Sequence, residues 1–175
     1  GIERRPIDRR HHGDDSVDGH GKGTPDPHIW LSPPLVMLQA RHILTALAAA
    51  DPAHEKTYDG NYKQFIQKTV ELDLRLRRRL SASQNRQFMV FHPSWGYFAD
   101  AYGLHQIPIE VEGKSPKAAD IQRLIRLAKK HDIRRVLVQP QFSSRNAETI
   151  AKAIDGKTVI ADPLARNWPE NLLTV

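Results

Sequence analysis

Residues 88–91 read Phe-Met-Val-Phe, and this short apolar run begins the pattern that decides the fold. Similar runs follow at 107–111, 136–138 and 158–161, and their length is typical of buried strands. Between the runs lie amphipathic stretches, such as residues 121–128, in which apolar side chains recur every three or four positions. Strands that alternate with helices in this way predict an α/β fold with a mostly parallel four-stranded sheet, flanked by helices that connect the strands with right-handed crossovers.

Two helices are predicted before this sheet. Ser32 followed by Pro33 is typical of a helix start, and the apolar stripe that follows continues to about residue 50. Asp51 and Pro52 repeat the signal, and the apolar face beyond them predicts a helix of roughly 28 residues, about 40 Å long, which would brace two lobes. The expected organisation is a loop and ligand segment over 1–31, a helix of a first lobe over 32–50, a long linking helix over 51–81 and an α/β lobe over 82–175.

The composition of the 175 residues excludes several classes of protein. The absence of cysteine excludes disulfides, thiolate nucleophiles and cysteine-bound zinc or iron–sulfur centres. No uninterrupted apolar run approaches the ~18 residues of a membrane-spanning helix. The 26 Lys and Arg exceed the 20 Asp and Glu, but the excess lies in or beside predicted helices, without a nucleic-acid-binding motif. We interpret it as a solvated basic face and expect no nucleic-acid partner.

Polar side chains follow the predicted strands at their carboxyl ends, where open parallel sheets bind ligands. They are His92 after the first strand, Glu110 and Glu112 at the end of the second, Gln139 at the end of the third and Asp162 after the fourth. An imidazole and a carboxylate at neighbouring strand ends can share a divalent cation. Taken singly, a histidine after a strand is more often a helix-start or hydrogen-bonded surface residue than a ligand, and Asp162 followed by Pro163 is an ordinary turn signal.

A more distinctive segment precedes the first predicted helix. Residues 26–33 read Asp-Pro-His-Ile-Trp-Leu-Ser-Pro. Two prolines, a tryptophan and a helix cap therefore restrain His28 just before the helix begins.

With these residues identified, the sequence resembles the metal-binding solute receptors of ABC importers for zinc and manganese. Residues 26–33 resemble the family's signature segment, whose histidine is a metal ligand. Residues 90–98, Val-Phe-His-Pro-Ser-Trp-Gly-Tyr-Phe, resemble its next ligand segment. Residues 139–143 and 161–164 are similar to the segments that end the third strand and supply the last ligand. The four motifs occur in the family's order, and the resemblance covers the chain from residue 1 to about residue 175.

The resemblance implies a metal site formed by His28, His92 and Asp162, with Gln139 beside it where the family has glutamate. It implies a further histidine ligand from a lobe before residue 1 and a last helix after residue 175, so the chain resembles a receptor that lacks most of its N-terminal lobe. The family's manganese receptors tend to have glutamate at the position of His92, so the imidazole favours zinc over manganese.

The resemblance also implies a partner and a location. The partner is the membrane permease of an ABC importer, to which the receptor delivers its metal. The location is the periplasm or another extracytoplasmic compartment, with or without a membrane anchor. Residues 11–20 contain His11, His12 and His20 at the place where zinc receptors of the family often have a His-rich loop. These histidines form either an auxiliary site for capturing metal or a solvated loop without that role.

A zinc-dependent enzyme is the main alternative. Catalytic zinc needs an open coordination position and a nearby base, and Glu110 or Glu112 would supply the base. No HExxH motif is present, so the nearest enzymatic interpretation is a metal chelatase-like protein on a related two-lobe α/β fold. We expect a receptor and not an enzyme. Turnover of a porphyrin-type substrate, as opposed to stoichiometric metal binding, would distinguish the two.

Overall fold

The computed structural model describes residues 2–7, 25–82, 85–110 and 114–175, and a four-stranded parallel sheet lies at its centre. The order of the strands across the sheet is β2-β1-β3-β4, and every pairing is parallel. The predicted α/β fold with a parallel four-stranded sheet is confirmed. The strands are β1 (Gln87–Val90), β2 (His105–Pro108), β3 (Arg135–Val138) and β4 (Lys157–Ile160).

Helices in the described residues precede the sheet and flank it. They are α1 (Pro33–Ala50), α2 (Glu55–Ser81), α3 (Gly96–Tyr102), α4 (Ala118–Lys130), α5 (Arg145–Ala153) and α6 (Trp168–Thr174), with short 3₁₀ helices at Ile29–Leu31 and Pro52–His54. No helix in this part of the chain is both long and apolar enough to cross a membrane. The division of the chain at residues 31, 50 and 81 into separate structural units stays a prediction.

Helix ends follow the local sequence. α1 begins at Pro33, and α2 begins three residues after Pro52 because a 3₁₀ turn comes first. α3 ends at Tyr102 and is followed by Gly103, whose φ of 64° is a left-handed conformation that glycine adopts without strain. The sequence analysis did not predict α6, although Pro169 in its first turn is a helix-start signal.

The register of β1 against its neighbours determines which residues meet at the carboxyl edge of the sheet. Val90 of β1 pairs with Pro108 of β2 on one side and with Leu137 of β3 on the other. Val138 of β3 pairs with Ile160 of β4. Because parallel strands advance in the same direction, residues that follow these pairs by equal steps also lie side by side.

The second strand ends earlier than the sequence pattern predicts. The apolar run at 107–111 predicts a strand that ends at Glu110 or Glu112, whereas β2 ends at Pro108. Glu110 therefore lies two residues beyond the strand, and the prediction that it ends the strand is wrong. Glu112 lies outside the described residues.

Alternating strand residues build two apolar clusters, one on each face of the sheet. Met89 and Val136 pack in one cluster with side chains of α4 and α5, such as Leu124 and Ile150. Val90 and Leu137 point the other way. They pack with apolar side chains of α2, α3 and α6 and of the segments beside them, which include Leu31, Leu72, Leu76, Trp95, Phe98 and Leu172. The long helix α2 therefore contacts the sheet layer mainly through its second half.

A polar contact also fastens α2 to α3. The Tyr102 hydroxyl donates to Asp73 Oδ1 at 2.9 Å, and Arg77 Nε donates to Asp73 Oδ2 at 2.8 Å. The Arg77 guanidinium also lies over the Tyr102 ring, 5.5 Å from its centroid. Burial, together with the hydrogen bond to Asp73, raises the pKa of Tyr102 well above its usual value, so the hydroxyl remains a donor at physiological pH.

The first half of α2 packs against α1, and this pair of helices leaves an apolar surface open. A groove of about 340 Å³ runs between them, lined mainly by aliphatic residues of α1 and by Tyr62 and Phe65 of α2. Leu38, Ile43 and Leu47 of α1 are 46%, 59% and 42% exposed. Since burial of one such side chain contributes roughly 1.5–3 kcal/mol, exposure of several together favours association or fraying.

We expect the isolated 175-residue chain either to self-associate through this surface or to exchange the α1 amides rapidly. Replacing Ile43 and Leu47 together by Gln removes apolar area without touching the sheet, so the variant should show a lower average mass in light scattering. Arg41→Gln, also exposed on α1, is the matched control and should change nothing. A strictly monomeric wild-type chain whose α1 amides are fully protected in hydrogen exchange would contradict this expectation.

Candidate metal centre

His28 is held by a buried carboxylate two residues before it. Asp26 has no exposed surface, and its Oδ1 accepts hydrogen bonds from the His28 backbone N–H at 3.0 Å and from His28 Nδ1 at 2.6 Å. Because an ionised carboxylate can only accept, Nδ1 must carry the proton in this contact. The lone pair of the neutral ring is then on Nε2, the nitrogen available to a metal.

The backbone of Asp26 is fixed as firmly as its side chain. Its N–H donates to the Arg5 carbonyl at 2.8 Å, and its carbonyl accepts from the buried Tyr97 hydroxyl at 3.1 Å. Burial is the main cause of the raised pKa of Tyr97, so the hydroxyl keeps the proton that it donates. The segment that carries His28 is therefore attached to α3.

His92 is held in the same manner by a carboxylate from the neighbouring strand end. Its Nδ1 lies 2.8 Å from Oε1 of Glu110, which is buried. The strand register explains the contact, since Glu110 follows Pro108 by the same two residues by which His92 follows Val90. The same reasoning as for His28 leaves the lone pair of the neutral His92 ring on Nε2.

The two imidazoles lie beside each other. Their ring centroids are 5.5 Å apart and their planes are inclined at 73°, so two imidazoles from different segments are adjacent. Imidazole nitrogens are preferred ligands of zinc and related transition metals. A carboxylate on the far nitrogen of a ligating histidine is the usual arrangement at such sites, and the pair of rings therefore fits a divalent transition metal.

Gln139 supports the backbone at His92. Its Nε2 donates to the His92 carbonyl at 2.9 Å and to Ser94 Oγ at 3.1 Å, while its Oε1 accepts from the His92 N–H at 3.3 Å. A glutamate here would have no N–H to donate to the carbonyl. The amide therefore serves as both donor and acceptor to the peptide groups of His92.

Aromatic side chains cover both histidines. Phe142, which is 43% exposed, stacks on the His92 ring with centroids 5.3 Å apart and an interplanar angle of 22°. Trp30 lies 5.3 Å from the His28 ring, and its indole N–H donates to the Pro163 carbonyl at 2.8 Å. Trp30 thus connects the segment of His28 to the loop that follows β4.

Asp162 lies in that loop, and its carboxylate accepts hydrogen bonds from residues of this loop and of the loop after β3. Its Oδ1 accepts from Gln141 Nε2 at 2.8 Å and from the Leu164 N–H at 3.0 Å. Among the described residues, no three His, Asp or Glu side chains are close enough together to hold one metal ion. The structure therefore pairs His28 with His92 but does not bring Asp162 into a three-ligand group with them, and the complete ligand set stays a prediction.

Several contacts at the centre were not predicted from the sequence. Asp26 belongs to the recognised segment, but its bond to His28 was not inferred, although an acidic residue two positions before a histidine is typical of such a turn. Glu110 is predicted at a strand end near His92, as a candidate metal ligand or base, but its hydrogen bond to the His92 ring was not inferred. Gln141 and Phe142 had no assigned role. The predicted auxiliary residues His11, His12 and His20 lie outside the described residues.

Comparison with known proteins identifies a family match and relatives over most of the chain. Residues 1–171 match the family described as ZnuA, zinc-uptake complex component A, periplasmic. The chain is 33% identical over 141 residues to the high-affinity zinc uptake system protein ZnuA of Bacillus subtilis, a match covering 79% of this chain and 44% of that protein. It is 32% identical over 161 residues to the zinc-binding protein AdcA of Streptococcus pyogenes, covering 90% of this chain and 31% of that protein.

Solved structures give the same result. The fold is similar to a crystal structure of ZnuA with a TM-score of 0.83 and 42% identity, over 89% of this chain and 60% of that one. It is also similar to a ZnuA deletion mutant with zinc bound, with a TM-score of 0.85 and 39% identity, over 99% of this chain and 62% of that one. The chain thus spans less than half the length of these curated relatives and about three fifths of these solved chains.

The contact between Glu110 and His92 can be tested with zinc as the probe. Glu110→Gln keeps the shape of the side chain but removes the charge that fixes the proton on His92 Nδ1. Because partners of ligating histidines contribute about 10- to 100-fold to metal affinity, we expect a loss of zinc affinity in this range in a competition titration with a chromophoric chelator.

Glu71→Gln, the same chemical change at an exposed position of α2, is the matched control and should leave the zinc affinity unchanged. Equal zinc affinities for Glu110→Gln and Glu71→Gln would exclude a supporting role for Glu110.

Proposed function

Because the chain belongs to the ZnuA family of periplasmic zinc-uptake components, we propose that it is part of an extracytoplasmic receptor that binds zinc for delivery to an ABC importer. The observation that supports this most strongly is the pair of adjacent imidazoles, each with its Nδ1 on a buried carboxylate. Such an arrangement holds two neutral nitrogen donors in place before the metal arrives, which lowers the ordering cost of binding.

The proposed ligands from this chain are Nε2 of His28, Nε2 of His92 and one carboxylate oxygen of Asp162. A tetrahedral zinc site needs a fourth ligand, and we propose that it is a histidine from outside residues 1–175. The length of the relatives supports this, because they are more than twice as long as the matched segment. The nitrogen-rich set favours zinc over manganese, which prefers oxygen ligands.

A receptor accounts for the residues better than an enzyme does. The enzymatic alternative would use Glu110 as a base. This carboxylate is buried and hydrogen-bonded to His92 Nδ1. The matching family is described as a component of a zinc-uptake complex, and the relatives named above are zinc-uptake or zinc-binding proteins. The proposed partner is accordingly the membrane permease of the importer, and the proposed location is the periplasm or the outer side of a membrane. Metal capture by His11, His12 and His20 stays a prediction.

Substitution of single histidines tests the proposed ligands. His28→Ala and His92→Ala each remove a nitrogen donor, so each should lower the zinc affinity of the full-length protein by more than Glu110→Gln does. His42→Ala, at an exposed position of α1, is the control and should bind zinc like the wild type. Zinc affinities that are the same for all three variants, or turnover of a porphyrin-type substrate by the wild type, would contradict the proposal.

The proposed fourth ligand has a separate test. If a histidine from outside residues 1–175 completes the site, the 175-residue chain should bind zinc more weakly than the full-length protein, because it lacks a ligand and the site is open to water. Titration of both proteins against the same chelator measures the difference. Equal zinc affinities would show that residues 1–175 already contain every ligand.

A further inference from the structure

Residues 139–142 follow β3 and contact two of the three proposed metal ligands, His92 and Asp162. Gln139 holds the backbone of His92, Phe142 stacks on its ring, and Gln141 holds the carboxylate of Asp162. The register of the sheet explains why one loop reaches both ligands, because β3 lies between β1 and β4. Of these contacts, the one made by Gln141 acts on an atom that would itself bind the metal.

The two oxygens of the Asp162 carboxylate are in different environments. Oδ1 accepts two N–H donors, from the Gln141 side chain at 2.8 Å and from the Leu164 backbone at 3.0 Å. Each carboxylate oxygen has about two lone-pair positions, so both positions on Oδ1 are occupied. Oδ2 has no hydrogen-bond partner among the described residues. The backbone of Asp162 is also fixed, since its carbonyl accepts from Asn171 Nδ2 at 2.7 Å.

We propose that Gln141 is a specificity-determining residue that restricts Asp162 to a single metal–oxygen bond through Oδ2. The inference rests on the proposed function, in which Asp162 is a zinc ligand. A carboxylate whose Oδ1 is held by two N–H groups binds a metal through one oxygen only. The exposed Gln141 side chain has several rotatable bonds, so its hydrogen bond to Oδ1 is compatible with rotation of the Asp162 side chain on its fixed backbone.

Restriction to one oxygen has a consequence for the choice of metal. Two imidazole nitrogens, one aspartate oxygen and one further ligand make a four-coordinate site, the geometry that zinc adopts in most protein sites. A bidentate aspartate would add a fifth donor and a second oxygen. Higher coordination with more oxygen suits manganese, whose preferred sites are octahedral and rich in oxygen. Gln141 therefore favours zinc over manganese without touching either ion.

Gln141→Met in the full-length protein removes the N–H donor and keeps the length of the side chain. We expect the ratio of zinc affinity to manganese affinity to fall about 10-fold, the lower end of the effect of residues that orient ligands. X-ray absorption on the zinc-loaded protein should give four donors for the wild type and a larger average number for Gln141→Met. Gln122→Met, at an exposed position of α4, is the matched control and should change neither quantity.

Gln141→Lys restores an N–H donor on a chain of similar length. Its positive charge should weaken the binding of both cations, but the ratio of the two affinities should return towards the wild-type value. A ratio and a donor number in Gln141→Met equal to those of the wild type would overturn the assignment of Gln141 while leaving zinc binding intact. A wild-type protein that binds no zinc would overturn the proposed function and this inference together.

Discussion

The register with which β1 pairs with β2 and β3 is the constraint on which the metal centre depends. Val90 and Pro108 are partners separated by 18 residues, and so are His92 and Glu110, which meet beyond the strand ends. On the other side, the 47 residues that separate Met89 from its partner Val136 also separate His92 from Gln139. A slip of one residue would turn strand side chains to the opposite face and lose the apolar cores with the site.

The buried carboxylates of Asp26 and Glu110 orient the two histidine rings. An unpartnered carboxylate inside a protein is costly, so each gains from the hydrogen bond that a histidine ring donates. The same bond orients the ring and leaves its Nε2 lone pair free. One carboxylate comes from the segment before α1 and the other from the residues that follow β2. Each orients one histidine, and the two rings lie beside each other.

The sequence predicted the sheet and its helices because their apolar periodicity is strong, and it identified His28 and His92 through distinctive segments. It placed His92 and Glu110 at strand ends but could not predict the hydrogen bond between them, because the pairing and register of β1 and β2 are tertiary features. The contact between Gln141 and Asp162 joins two loops, where no periodic pattern exists to guide a prediction. Whether Asp162 joins the histidines depends on how the loop after β4 approaches them, which short-range sequence signals do not determine.

Long-range ¹H–¹⁵N correlation spectra of the histidine side chains test the central claim most directly, because they identify which ring nitrogen carries the proton. The account predicts that the neutral rings of His28 and His92 are protonated on Nδ1, both before and after zinc is added, and that zinc shifts the signal of Nε2 in both rings. Protonation of either ring on Nε2, or a zinc-induced shift at Nδ1, would contradict it, because the buried carboxylate would then not be the partner that prepares the ligand.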